Sequence, residues 1–296
     1  MRGSWAFRRL ISRKNLVWRY HDGFPHLFAS VHPLNTTISP AQPAEQPVDA
    51  FASTRFVLVE PSHPGNVGAA ARALKTMGFS RLVVVAPKIP FVTREPEAIA
   101  MASGADDVLA SAQVVETLAD ALSGVHWSIA LTARTREYGP PQMAPRPAVA
   151  KACEQGRSGG AIALVFGNER VGLSNADVER CSAIAHIPAN PAYSSLNLAQ
   201  AVQVLAYELR LALLDRPETA PVAAAESTIA SAPSDEIEGM YAHLEQALVA
   251  LDFLDPANPK KLMSRLRRLF SRSGLEHEEV NILRGIAKHI LLRVKR

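Results

Sequence analysis

The chain has 296 residues, 48% of them hydrophobic, which is too long for one minimal domain and ample for a globular enzyme with a buried core and a smaller appendage. Its 32 Lys and Arg against 28 Asp and Glu leave a formal net charge of only +4, yet cations crowd the C-terminus from Lys260 and Lys261 to Arg296, and that local excess points to a polyanionic partner. Cys153 and Cys181 stand outside any Cys-x-x-Cys spacing, the nine histidines form no His-Glu-x-x-His pair, and no apolar run is long enough to cross a bilayer; the composition thus predicts a soluble, cytoplasmic protein with no metal, disulfide framework or membrane span.

Residues 1–54 show no consistent periodicity. Arg2, Arg8, Arg9, Arg13, Lys14 and Arg19 are mixed with aromatics, the first acid is Asp22, and Pro33, Pro40, Pro43 and Pro47 follow. The stretch reads as a disordered N-terminal extension, first as an over-extended gene start and second as an organellar transit peptide.

From Arg55 strand and helix signals alternate. Residues 56–59 and 82–85 are short β-branched runs bounded by Pro, Gly and charges, which predicts buried parallel strands. Between them the Ala-rich stretch 66–77 predicts a helix stopped by Gly78. Further strands are predicted at 128–132, 162–166 and 184–188, separated by helices at 114–122 and 175–180. A long helix over 196–214 carries an apolar stripe at Leu198, Val202, Leu205, Leu209 and Leu213 that requires a partner surface. The fold class is therefore α/β with a mostly parallel sheet over 55–215. Residues 216–234, rich in Ala, Pro, Ser and Thr, read as a linker. The remainder, 235–296, predicts a small helical domain with helices at 235–254, 259–273 and 276–295.

Three separated segments carry polar residues in the right setting for chemistry. In the first, Gly65, Asn66, Gly68 and Arg72 lie between a strand and a helix; a glycine turn at a helix start holds phosphates, but it equally reads as a tight turn capped by Asn66. Arg72 discriminates, because a guanidinium on an Ala-rich helix needs an anionic partner. The second, 167–173, again follows a strand, with glycines that let backbone approach a ligand; its bland alternative is an exposed Glu169–Arg170 pair on a turn. In the third, Asn190, Tyr193, Ser194, Ser195 and Asn197 cluster in a Pro-containing loop, more polar groups than helix capping alone requires.

Taken together, Asn66 and Arg72, Gly167-x-Glu169 with Gly172-Leu173, and Ser195-Leu196-Asn197 resemble the SpoU branch of the SPOUT methyltransferases. The stretches from Tyr193 to Ala199, from Lys261 to Phe270 and from Asn281 to Ile286 are similar to the members of that branch that methylate the ribose of tRNA nucleotide 32 in the anticodon loop. The resemblance implies a SPOUT fold whose sheet ends in a C-terminal trefoil knot, a homodimer, S-adenosyl-L-methionine as cofactor and tRNA as partner. It implies cofactor binding by Leu131, Thr132, Ala133, Gly167, Ile187, Ser194, Ser195, Leu196 and Asn197, and a catalytic set of Asn66, Arg72, Glu169, Ser195 and Asn197.

RNA-binding candidates are Arg72, Arg134 and Arg136 near the site and Arg265, Arg267 and Arg268 in the helical domain, whose apolar Leu262, Leu266, Leu269 and Phe270 are expected to pack inward. The alternatives are a solvated loop at 134–136 and a packing unit with a basic face. Rival functions are a SpoU-type methyltransferase for rRNA or another tRNA position and, from a different class, a non-catalytic RNA-binding protein. A nucleotide-dependent dehydrogenase lacks its fingerprint.

Overall fold

The structure is a computed structural model; it describes residues 50–134, 139–157, 159–215 and 231–294, all within one compact unit, Gln46–Arg296. One helical turn, α1 (Ala50–Ser53), leads into β1 (Arg55–Val59), α2 (Pro64–Thr76) and β2 (Arg81–Val85). A 3-10 turn at Val92–Arg94 precedes α3 (Pro96–Ala102), α4 (Asp106–Ala110), β3 (Gln113–Val115), α5 (Leu118–Leu122) and β4 (Val125–Leu131). Then follow β5 (Gln142–Met143), α6 (Pro145–Arg157), β6 (Ala161–Phe166), α7 (Asn175–Glu179), β7 (Ala183–Ala185) and α8 (Leu198–Leu214). The C-terminal part holds α9 (Ser234–Ala250), α10 (Leu262–Phe270) and α11 (His277–Val294).

The strands form a seven-stranded sheet in the order β3-β2-β1-β6-β4-β7-β5, and every pairing is parallel. Helices cover both faces, so the central strands are largely apolar and alternate residues sort to opposite sides. Phe56, Leu58, Leu82, Val84, Leu164 and Phe166 join the core beneath α2, α6 and α8, whereas Val57, Val59, Val83, Val85 and Val165 pack with Leu118 and Leu122 of α5 and Val178 of α7. Such continuous β-branched runs are what the sequence shows at the central strands, and those strands stand where expected.

The differences lie at short or edge elements and at α6, thirteen residues in a stretch where no element was expected. Residues 114–122 were expected as one helix, but Val114 lies in edge strand β3, and α5 begins only after Thr117, whose hydroxyl accepts from Asp120 N at 3.2 Å while Asp120 accepts from Thr117 N at 3.1 Å. Helix α2 begins at Pro64, where the missing N–H costs nothing, so Asn66 sits inside the first turn and does not cap it. The expected strand 184–188 ends at Ala185. Within the stretch expected to be a disordered extension, α1 is ordered by Phe51, whose ring lies 5.1 Å from that of Phe79 and beneath the Arg210 guanidinium; residues 1–49 lie outside the described residues.

The apolar stripe of α8 is satisfied within the chain: Leu198, Val202, Leu205 and Leu209 are buried in the main core. Beyond 216–230, which lie outside the described residues, Ser231 and Ala232 are already buried, and Ala232 N donates to Leu275 O at 2.7 Å. The C-terminal helices enclose their own small core of Ala232, Met240, Tyr241, Leu275 and Val280. Leu269, expected to pack inward, is 58% exposed because the nine-residue α10 turns it away from α9. Contacts of Asp235 Oδ1 with Gly124 N (3.2 Å) and of Glu238 with Arg180 (3.3 Å) seat the helices on the main domain.

Candidate active site

In a parallel sheet all strand carboxyl ends lie on one edge, and here β1, β6, β4 and β7 are neighbours. The loops that follow them therefore meet, although they are far apart in sequence. The crevice opens beyond the carboxyl ends of β4, β6 and β7, beside the point where the sheet reverses its strand progression. This topology brings 60–66, 132–134, 167–172 and 186–197 together.

Glu169 is the hub. Its carboxylate accepts hydrogen bonds from Ser62 N (2.9 Å), the Ser62 hydroxyl (2.7 Å), His63 N (3.2 Å) and Asn66 Nδ2 (2.9 Å). Partial burial pushes this carboxyl up, but the donors from Asn66 and Ser62 outweigh that effect and hold it below the usual carboxylate range. Asn66 Oδ1 accepts in turn from Asn197 Nδ2 at 2.8 Å. Asn197 is the N-cap of α8, its Oδ1 accepting from Ala199 N (2.9 Å) and Gln200 N (3.4 Å). One chain of side chains thus ties the loop after β6 to the start of α2 and the start of α8.

Beside this chain lies a cavity of about 370 Å³, lined by 131–134, 166–172, Ile187, 194–196, Leu198 and Ala201. Of the expected cofactor residues, Leu131, Thr132, Ala133, Gly167, Ile187, Ser194, Ser195 and Leu196 line it, while Asn197 does not and instead bridges and caps. Phe166, Leu198 and Ala201 supply a buried apolar floor, and Asn168 and Arg170 add polar groups at the wall. None of these five was expected from the sequence to line a cofactor site: Leu198 reads there only as part of an apolar stripe and Arg170 only as half of a charge pair, and a residue one step beyond a motif carries no binding signal of its own. An apolar floor with hydroxyls and backbone at the wall suits a nucleoside ligand of S-adenosylmethionine's size, so the residues present fit that cofactor.

The glycines have packing reasons. A Cβ on Gly167 would come within 2.3 Å of Gly172 C and Leu173 N, because the loop folds back on itself through Gly172 N donating to Asn168 O at 2.8 Å. A Cβ on Gly68 would lie 1.9 Å from Ala98 O, so this glycine lets α2 approach α3 and does not cradle a phosphate. The polar loop before α8 is likewise partly self-supporting: Asn190 Oδ1 accepts from Ala192 N at 3.0 Å, leaving Tyr193 82% exposed and Ser194 and Ser195 facing the cavity.

The arginines separate. Arg134 lines the cavity, its backbone held by Thr132 Oγ1, which accepts from Arg134 N at 3.1 Å. Arg72 is exposed on the third turn of α2, away from the apolar face, and does not line the cavity, so its carboxylate partner is absent among the described residues. Arg136 lies outside the described residues. Arg267, expected to reach RNA, is only 21% exposed in its side chain; it is held by Glu238 at 2.5 and 2.8 Å and stacks on the Tyr241 ring at 4.3 Å, which gives it a structural role. Arg265 and Arg268 are exposed on the other side of α10. No group of three His, Cys, Asp or Glu among the described residues is arranged to hold a metal ion.

Residues 53–207 match the SpoU rRNA Methylase family, and residues 235–296 match the C-terminal domain of the tRNA methyltransferase TrmJ. Over 238 residues, 78% of this chain and 91% of the relative, the chain is 47% identical to the tRNA (cytidine/uridine/adenosine-2'-O-)-methyltransferase TrmJ of Pseudomonas aeruginosa (strain UCBPP-PA14). It is 46% identical to the tRNA (cytidine/uridine-2'-O-)-methyltransferase TrmJ of Klebsiella pneumoniae subsp. pneumoniae, covering 80% of this chain and 95% of that one. The crystal structure of TrmJ from Z. mobilis ZM4 superposes with a TM-score of 0.68 at 34% identity, covering 80% of this chain and 98% of the other. With the converging loops, the Glu169–Asn66–Asn197 chain and a second matched domain, this chain belongs to the SpoU methylases, on their TrmJ branch, and is an S-adenosylmethionine-dependent methyltransferase.

Proposed function

We propose that this enzyme methylates the ribose 2′-hydroxyl of cytidine or uridine at nucleotide 32 of the tRNA anticodon loop. The observation that carries the tRNA assignment is the C-terminal match at 235–296, whose α10 exposes Arg265 and Arg268 and is followed by exposed Arg272. The relatives' names support the substrate and the two pyrimidines. A ribosomal substrate, suggested by the name of the family matched at 53–207, does not account for the helical domain.

S-adenosylmethionine, when bound, supplies an electrophilic methyl group on a sulfonium. The walls at 131–133, Gly167, Ile187 and 194–196 would hold it, and the task left to the chain is to place a 2′-oxygen in line with that methyl and assist loss of its proton. Arg72, exposed on α2 outside the cavity wall, anchors a substrate phosphate; a guanidinium keeps its own proton, so the acceptor is a phosphate oxygen, a water or Ser195 as a relay. Glu169 and Asn197 are positioning residues, each acting through Asn66.

The catalytic domain spans 55–215, a linker 216–234 and a tRNA-binding helical extension 235–296. The enzyme works in the cytoplasm as a homodimer; Tyr207, Leu211 and Leu214 leave α8 an exposed apolar face at i, i+4 and i+7 that supports such a pairing. The trefoil threading of the family is part of this proposal.

The test is to incubate the full chain with unmodified tRNA transcripts and S-adenosylmethionine and map ribose methylation. Modification at nucleotide 32 is expected, with strong salt dependence of binding. Modification confined to another nucleotide, or to ribosomal RNA, would refute the assignment.

A further inference from the structure

We infer that Arg170 is a further RNA-binding residue of this site, contacting a backbone phosphate beside the target nucleotide together with Arg134; the inference rests on the tRNA reading above. Sequence alone offered Arg170 as half of a charge pair with Glu169. The structure removes that partner, because Glu169 turns inward and its two oxygens are engaged by four donors from Ser62, His63 and Asn66.

What holds Arg170 in place is its neighbour. Asn168 Nδ2 donates to Glu60 O at 2.8 Å, anchoring the turn to the end of β1, and Asn168 Oδ1 accepts from Arg170 N at 2.9 Å and Val171 N at 3.2 Å. Both residues preceding Arg170 are therefore tethered through their side chains. Arg170 is exposed at the tip, lines the cavity, and has no carboxylate partner among the described residues. A guanidinium carried on a fixed backbone, with no internal anion, is available to an external one.

Two anions come to such a site, the carboxylate of the cofactor and the phosphates of the RNA. Position favours phosphate. The cavity floor is Phe166, Leu198 and Ala201, all buried, whereas Arg170 and Val171 stand at the solvent rim, Val171 being 64% exposed. Arg134 reaches the same rim from the adjacent loop after β4. Two cations on neighbouring loops, with the Glu169 carboxylate engaged by its four donors, give this edge a positive character that complements a phosphodiester chain.

The experiment compares the full-length wild type with R170A and R170K. For R170A, the KM for tRNA is expected to rise about tenfold, and the log–log salt dependence of tRNA binding to flatten by about one unit of slope. Calorimetric affinity for S-adenosylhomocysteine is expected to stay within about twofold, and R170K to recover most of the salt slope but not the bidentate geometry. An unchanged tRNA KM and salt slope in R170A would overturn the inference, and so would a tenfold loss of S-adenosylhomocysteine affinity, which would assign Arg170 to the cofactor. A wild type that methylates no tRNA would defeat the substrate reading itself, an outcome visible before any variant is examined.

Discussion

Asn66 Oδ1 accepts from Asn197 Nδ2 at 2.8 Å, a bond between residues 131 positions apart. Its direction is dictated at both ends. Asn197 spends its oxygen on the first amides of α8, so only its NH2 is available, while Asn66 spends its own NH2 on Glu169, so only its oxygen is available. Each amide is oriented by a different element, and the start of the methyltransferase site is locked before substrate arrives.

Replacing Asn66 by Asp keeps the shape and reverses the polarity at Glu169. The N66D variant faces two carboxylates toward each other and is expected to lose more stability than N66A, by about 1–3 kcal/mol against wild type. Thermal melts check this. Recovery of N66D as the pH is lowered toward the carboxylate range, where one group takes a proton, is the distinguishing sign; N66A shows no such recovery.

Glu169 itself makes stability depend on pH. Its folded-state pKa lies below the usual value of 4.5, so the stabilisation is present above that value and is lost as the pH falls through the folded-state pKa. Melting temperature followed downward from pH 6 is expected to drop less steeply below about pH 4.5 in E169Q than in wild type. Parallel curves would contradict the assignment.

Gly68 and Gly167 separate packing from cofactor binding. With Ala98 O only 1.9 Å from the added carbon, G68A must push α2 off α3 and lose about 1–3 kcal/mol. G167A opens the loop at Gly172 and Leu173, and its loss is expected mainly in S-adenosylhomocysteine affinity, read by calorimetry.

The helical domain is seated through Glu238, which meets Arg180 at 3.3 Å and Arg267 at 2.5 Å. E238A leaves the Arg267 guanidinium half-buried on Tyr241 with no carboxylate. About 1–2 kcal/mol of stability is expected to go, a figure reduced for solvent access. Affinity for tRNA should fall with it while S-adenosylhomocysteine binding holds, since α10 is remote from the cavity residues; filter binding and calorimetry measure the two.

Neither thiol is a nucleophile. Burial pushes Cys181 up to about 12, and Cys153 is buried in the main core. A thiol reagent should label the native protein slowly and the unfolded protein at two sites per chain.

The sequence by itself determined the α/β class, the central strands and the identity of the three segments, because buried parallel strands must be continuous apolar runs and their β-branched residues declare them. Through resemblance in the motifs it also pointed to eight residues, from Leu131 to Leu196, that the structure brings to the wall of one cavity. Edge strand β3 escaped it, since three residues paired on one side leave no pattern against the helix that follows. Only the tertiary structure decided the division of labour. Asn197 reads the same whether it touches cofactor or caps α8, and Arg267 the same as Arg265 until Glu238 and Tyr241 are beside it. The physical reason is that an amide or a guanidinium advertises hydrogen bonds without naming the partner, and the partner is set by which strand ends the sheet order makes neighbours.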